Sequence, residues 1–127
     1  ILVGDGPYLS ELKSRYPDVV YVGYAQGAKL ADYYANADVF VFPSKTDTFG
    51  VVMLESISSG TPVAAYPVTG PKDVIEEGIN GSLDEDLGRA VGKALICDRR
   101  QVAASAVRWD WKTCTGIFLA NLTQIPK

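Results

Sequence analysis

The chain has no histidine anywhere in its 127 residues. That removes imidazole metal ligands, Ser-His-Asp triads and imidazole acid/base chemistry from this segment. Any proton transfer within it falls to carboxylates, lysine, tyrosine or a group supplied from outside. Basic clusters are missing too: 12 Lys and Arg stand against 15 Asp and Glu, a net charge of -3, which argues against nucleic acid as the main partner. No apolar run reaches the roughly 18 residues a membrane span requires. The opening Ile1-Leu2-Val3-Gly4 has neither a methionine nor the charged stretch that begins a signal peptide. It reads as a strand entered directly, as in a piece of a longer protein. Cysteine is sparse. Cys97 and Cys114 fall in predicted helices and read as reduced packing residues of a cytosolic protein.

What is present describes one domain over residues 1–127 with a real core. Apolar strands at Ile1–Gly4, Val19–Val22, Asp38–Phe42, Pro62–Tyr66 and Asn80–Leu83 alternate with helices at Pro7–Tyr16, Ala28–Asn36, Phe49–Ser59 and Lys72–Glu76. Helices then follow over Asp84–Cys97, Arg99–Val107 and Asp110–Thr123, with Asp84, Asp98 and Asp110 as candidate N-caps. Alternation at this spacing predicts βαβ units, hence an α/β fold: a doubly wound parallel sheet of about five strands with helices on both faces. Asp38–Phe42 lacks polar alternation and is expected to be buried on both faces. In such folds ligands bind at the carboxyl ends of strands. The loops of interest are therefore Gly4–Pro7, Gly23–Gly27, Pro43–Thr48 and Tyr66–Pro71.

The stretch Val39–Glu55 stands out. An apolar run ends at Pro43, a polar turn follows, and a helix is predicted from Phe49 with acids at Asp47 and Glu55 on either side of its start. Unpaired amides and a partial positive charge suit a helix N-terminus to an anion such as phosphate. Thr48, Phe49, Gly50 and Val51 are placed to supply those amides, and Gly50 permits close backbone approach. Glu55 lies about six residues into the helix, roughly 9 Å along its axis, a span that fits the step from pyrophosphate to ribose. The same residues also fit a plain helix start, with Asp47 or Thr48 as cap and Glu55 reaching solvent. Lys45 fits solvent better than phosphate, Trp109 and Trp111 fit packing, and Glu76-Glu77 an exposed helix end.

The string Pro43-Ser44…Asp47-Thr48-Phe49-Gly50…Glu55…Gly60-Thr61-Pro62 resembles the signature of group 1 (family 4) glycosyltransferases. So do Val3-Gly4-Asp5-Gly6-Pro7, Ala37-Asp38-Val39-Phe40-Val41 and Gly78-Ile79-Asn80-Gly81. The resemblance implies retaining enzymes of GT-B architecture, hexosyltransferases whose second Rossmann-like domain binds a UDP- or GDP-sugar. It places Glu55 on the donor ribose, the amides near Phe49, Gly50 and Val51 on the diphosphate, Asp47 on the donor sugar, and the loop around Tyr24 against the base. Asp47 is one methylene shorter than the family's usual Glu. No metal ion or other cofactor is implied, and Asp38 reads as a strand-start residue. The family's preceding strand-helix unit, which carries an Arg and a Lys for the pyrophosphate, and its acceptor domain both lie upstream of this chain. The isolated chain is therefore expected to be inactive, and the acceptor (lipid, glycan or small molecule) is left open. The expected location is cytoplasmic, either free or peripheral at the inner face of a membrane. With the family's central strand absent, either Ile1–Gly4 pairs directly with Asp38–Phe42 in the order 2-1-3-4-5, or the gap between them is left open or filled by a partner chain. A non-catalytic nucleotide-binding or structural module is the alternative, and a sugar-nucleotide epimerase is disfavoured by the lack of histidine.

Overall fold

The computed structural model describes residues 1–123 and divides into two compact units, with the boundary between Tyr33 and Tyr34. The first holds β1 (Leu2–Val3), α1 (Leu9–Arg15) and β2 (Tyr21–Gly23); α2 (Gly27–Asn36) runs through the boundary. Strands β1 and β2 pair in parallel with an irregular register, Leu2 opposite Tyr21 and Val3 opposite Gly23. Pro7 sits in a turn before α1 rather than at its first position. The hydroxyl of Tyr21 donates to the carbonyls of Leu12 (2.8 Å) and Tyr16 (3.1 Å), so a strand residue ties down the end of α1. That satisfies carbonyls which a helix C-terminus leaves without intrahelical donors.

The second unit contains β3 (Phe40–Phe42), α3 (Val51–Ser58), β4 (Val63–Ala65), α4 (Pro71–Val74) and β5 (Gly81–Leu83). These are followed by α5 (Leu87–Ala94), α6 (Arg99–Ser105), a 3₁₀ turn (Ala106–Trp109) and α7 (Trp111–Ala120). The sheet order is β3-β4-β5, all parallel, with Phe40, Val41 and Phe42 opposite Val63, Ala64 and Ala65. Successive residues of a strand face opposite sides of a sheet, and β4 shows the consequence. Val63 and Ala65 join Met53 and Ile57 of α3 and Val102 of α6 in the larger core, while Ala64 meets Ala90 and Ala94 of α5. Each fully buried apolar side chain in the larger core contributes about 1.5–3 kcal/mol. Small residues on the α5 side let helix and sheet approach closely.

Among the described residues five strands form and every pairing is parallel, in two ladders, β1-β2 and β3-β4-β5; of the arrangements the sequence allows, the direct pairing of Ile1–Gly4 with Asp38–Phe42 is not made. With two residues, β1 offers very few ladder bonds to offset the cost of ordering a further pairing. Nor is β3 buried on both faces: Phe42 is buried while Val41 is 40% exposed. The reason is its place at the sheet edge, since α5 packs on β4 and β5.

Two further expectations are corrected. Asp86, not Asp84, caps α5. Asp84 accepts instead from the Asp86 amide and pairs with Lys93 and Arg89, and those contacts hold its carboxyl below the usual range. Glu76 and Glu77 lie beyond the end of α4: Glu76 pairs with Arg108, and Glu77 accepts from the Ser82 hydroxyl (2.6 Å) and the Leu83 amide (2.9 Å). Among the cysteines, Cys97 sits past α5 and packs on the larger core, whereas Cys114 is exposed on α7; neither is bridged. Among the described residues no helix is long and apolar enough to cross a membrane.

Candidate functional site

The site is built where β3 ends. Its chain leaves the sheet at Phe42, crosses Pro43–Phe49 and re-enters regular structure at Val51, two residues later than the pattern of apolar residues indicates. Gly50 is the N-cap residue of α3, at φ 77°, and no side chain caps the helix. A Cβ there would lie 2.7 Å from Met53 Cε and 3.2 Å from Phe42 Cζ, so both conformation and space select glycine. Val51 and Val52 are exposed. Their amides head a helix, where no intrahelical acceptor exists, so the bare start offers donors to an incoming group.

Asp47 does not cap α3. Its Oδ1 accepts from the Phe49 amide at 3.1 Å, which folds the loop on itself as an Asx turn. Two neighbours hold this loop in place. The Phe49 ring meets Trp109 edge-on, with centroids 5.5 Å apart. Behind the loop lies Gly70, at φ 88°, where a Cβ would stand 3.0 Å from the Asp47 carbonyl oxygen and 3.1 Å from the Phe49 nitrogen. The backbone of Asp47–Phe49 thus rests directly on the turn after β4, an approach only glycine allows. The two loops bound a cleft of about 460 Å³, with Lys45–Thr48 on one side and Val68, Thr69 and Lys72 on the other. Lys45 lies over the Tyr66 ring, its Nζ 4.4 Å from the centroid.

Glu55 stands on the exposed side of α3, while Met53, Ser56 and Ile57 of the same helix are buried. Its carboxylate is not enclosed by the apolar residues that flank it in sequence, because Val51 and Val52 also face outward. Its partner is Tyr34, whose hydroxyl donates to Oε2 at 3.3 Å. Burial first, then the Glu55 charge and that hydrogen bond, push the Tyr34 hydroxyl up to about 12.

The loop after β3 and the helix α3 thus bring Asp47, Thr48, Phe49, Gly50, Val51 and Glu55 into one stretch of the second unit. Tyr24 belongs to the first unit, where it is 68% exposed and its hydroxyl donates to Gln26 Oε1 at 3.1 Å. The Gly4–Pro7 turn, also in the first unit, lines a hollow of about 340 Å³ with Leu9 and Leu12. Trp109 packs as expected, but Trp111 is 88% exposed. The sequence places Tyr34 within a predicted helix with no role, and Gly70 within the Tyr66–Pro71 loop at a strand's carboxyl end. The burial that the structure gives Tyr34 is what demands a partner for its hydroxyl. Among the described residues no three potential metal ligands cluster.

Comparison with known proteins agrees with this architecture. The family profile described as Glycosyl transferases group 1 matches residues 1–97. The chain is 38% identical to the sulfoquinovosyl transferase SQD2 of Arabidopsis thaliana over 89% of its own length and 25% of that protein's. It is 40% identical to a GDP-mannose-dependent alpha-mannosyltransferase of Mycobacterium tuberculosis, over 85% of the chain and 30% of the relative. The chain therefore spans between a quarter and a third of the curated relatives it matches. Among solved structures, Anabaena HepE crystallised with UDP superposes with a TM-score of 0.76 at 24% identity, covering 95% of this chain and 40% of that one. The pneumococcal O-GlcNAc transferase GtfA, crystallised with UDP and GlcNAc, superposes at 0.75 and 20% identity, over 93% and 28%. The fold is that of a Rossmann-like half of a GT-B glycosyltransferase. By its sequence and its fold together, the chain belongs to the group 1 glycosyltransferases.

Proposed function

We propose that the chain is the donor-binding part of a retaining hexosyltransferase and holds a nucleoside diphosphate sugar at the start of α3. The observation that carries this reading is the bare start of α3 at the carboxyl end of β3, with Asp47 before it and Glu55 on its exposed side. The amides of Gly50, Val51 and Val52, with Thr48 beside them, hold the diphosphate, while the Phe49 amide stays with Asp47. Glu55 accepts from the ribose hydroxyls. Asp47, with Oδ1 given to the Phe49 amide, faces the donor sugar with its other oxygen. No metal ion is required in this reading, because the helix start faces the charge directly.

In transfer, negative charge builds on the diphosphate as the bond to the sugar breaks and the acceptor attacks from the same face. Fixed donors aimed at that charge stabilise the transition state without reorganising. The field of one helix start is worth about 0.3–2 kcal/mol, at most about a thirtyfold effect on rate. That is far short of enzymatic catalysis. The rest must come from cations and an acceptor-binding surface contributed by other parts of a longer protein, at the cytoplasmic side of a membrane if the acceptor is a lipid. This chain alone is therefore expected to bind nucleotide weakly and to transfer no sugar.

Calorimetric titration of UDP, GDP and their sugars into wild type and Glu55→Ala tests the assignment. One nucleotide should bind, and Glu55→Ala should weaken it by about tenfold or more, as expected for loss of a hydrogen bond to a charged group. If wild type binds none of them, the reading falls and a purely structural module is what remains. Turnover by the chain alone would overturn the claim that it is half a site.

A further inference from the structure

We propose that Tyr34 is a positioning residue for Glu55, holding the carboxylate by one oxygen so that the other is presented to the ribose. The inference rests on the donor-binding reading and adds a residue to it.

Three observations on this pair of residues support it. First, Tyr34 is a buried residue, only 8% exposed, and its hydroxyl has a protein partner. That partner is Glu55 Oε2, at 3.3 Å and twenty-one positions away in the chain. Second, the tyrosine cannot drift. Its ring stands edge-on to Phe40 of β3, with centroids 5.3 Å apart and planes at 87°. Its carbonyl accepts from the Thr61 hydroxyl at 2.5 Å, and Arg99, which donates to that same hydroxyl at 3.0 Å, also donates to the carbonyls of Ala35 and Ala37 at the end of α2. Third, Glu55 is exposed on its helix, with side-chain rotamers open to it that a fixed donor can restrict. The Tyr34 hydroxyl is pushed up to about 12, so it stays a donor across the physiological range.

A glutamate that must bind ribose needs its rotamer set beforehand, since ordering it during binding weakens binding. Tyr34 does this without occupying the whole carboxylate: a single hydroxyl engages Oε2. Both residues lie in the second unit. The arrangement resembles the way a metal-bound histidine is oriented by a carboxylate behind it, with the roles of donor and acceptor reversed.

Tyr34→Phe tests the idea, because it keeps the ring and its contact with Phe40 and removes only the hydroxyl. The probes are UDP and GDP, each compared with its 2′,3′-dideoxy form. Wild type should prefer the ribonucleotide. Tyr34→Phe should weaken the ribonucleotide by about three- to tenfold and leave the dideoxy form unchanged, so the preference shrinks. Glu55→Ala should abolish the preference. If Tyr34→Phe weakens both forms equally, or neither, the positioning role is overturned while the donor-binding reading stands. If wild type binds neither nucleotide, or binds both forms alike, the ribose role of Glu55 fails and this inference fails with it. A second readout needs no variant at Tyr34. In protein carrying ¹³Cζ-labelled tyrosine, the Tyr34 resonance should shift more with the ribonucleotide than with the dideoxy form, and this difference should vanish in Glu55→Ala. Equal shifts would count against the proposal.

Discussion

Helices of the second unit begin in two different ways. Ahead of α5, α6 and α7 stands an aspartate whose carboxylate accepts first-turn amides. Asp86 takes Gly88 at 2.8 Å, Asp98 takes Arg100 at 2.8 Å, and Asp110 takes Thr113 at 2.6 Å. Ahead of α3 stands Gly50, and no side chain caps the helix, although an acid three residues earlier is close enough to bond Phe49. A cap contributes about 1 kcal/mol, so omitting one at a helix as central as α3 has a cost to the fold. That bare start is also the one flanked by Asp47 and Glu55. The short α4 also starts at a glycine, Gly70, without a side-chain cap; α3 is the uncapped start that has an acid on either side, so the contrast separates helix starts completed by an aspartate from one open to a ligand.

The sharpest way to break the contrast is from behind the loop. Gly70→Ala forces a Cβ into a left-handed backbone position and against the carbonyl of Asp47 and the nitrogen of Phe49, at 3.0 and 3.1 Å. Stability should fall by about 1–3 kcal/mol, read as a lower midpoint in urea. The loop must shift to relieve the contact, so nucleotide affinity should fall as well. Binding that survives intact in a folded Gly70→Ala protein would mean that the loop geometry is not what holds the ligand.

A second, smaller change makes one of the capped helices resemble α3. Asp98→Ala strips the amides of Arg100 and Gln101 of their acceptor. Because α6 carries the fully buried Val102, the loss should appear in global unfolding as about 1 kcal/mol. Nucleotide binding should not change. A fall in affinity here as large as that of Glu55→Ala would erase the distinction between the two kinds of start.

How much of this could be read from the residues depends on the range of the interaction. The strand, turn and helix across Val39–Ser58 were legible because apolar period and turn residues act locally. So were Asp98 and Asp110 as caps, since a cap reaches only two or three residues. Asp84 was misread because Asp86 has the same chemistry two positions later, and only the fold reveals that Asp84 is occupied by Arg89 and Lys93. The burial of β3 was overestimated because a run of apolar residues says nothing about whether a helix covers its second face. Helix α7 makes the same point: Trp111 reads as a packing residue, yet it is 88% exposed. Contacts that join distant positions, Tyr34 with Glu55 and Gly70 with the Asp47–Phe49 backbone, left no local trace.

The smallest effect belongs to α7, and it sharpens the contrast by titration. Hydrogen bonds from Thr113, through its side chain and its backbone amide, hold the Asp110 carboxyl below the ordinary range. In an unfolded chain an aspartate titrates near pH 3.9. A depressed folded value means that the cap's contribution is complete above that pH and is lost as pH falls through the lower, folded value. Since α7 buries no residue, the loss should be local: fraying of one helix, not unfolding of the domain. The Thr113 amide resonance should therefore titrate with a midpoint below about 3.9, while far-ultraviolet ellipticity falls only slightly. Asp110→Asn keeps an oxygen acceptor and should abolish this titration. A midpoint at or above the ordinary aspartate value would show that the Thr113 contacts do not favour the charged form. Asp110 would then be a poor example of a completed start, and the comparison with Gly50 would rest on Asp86 and Asp98 alone.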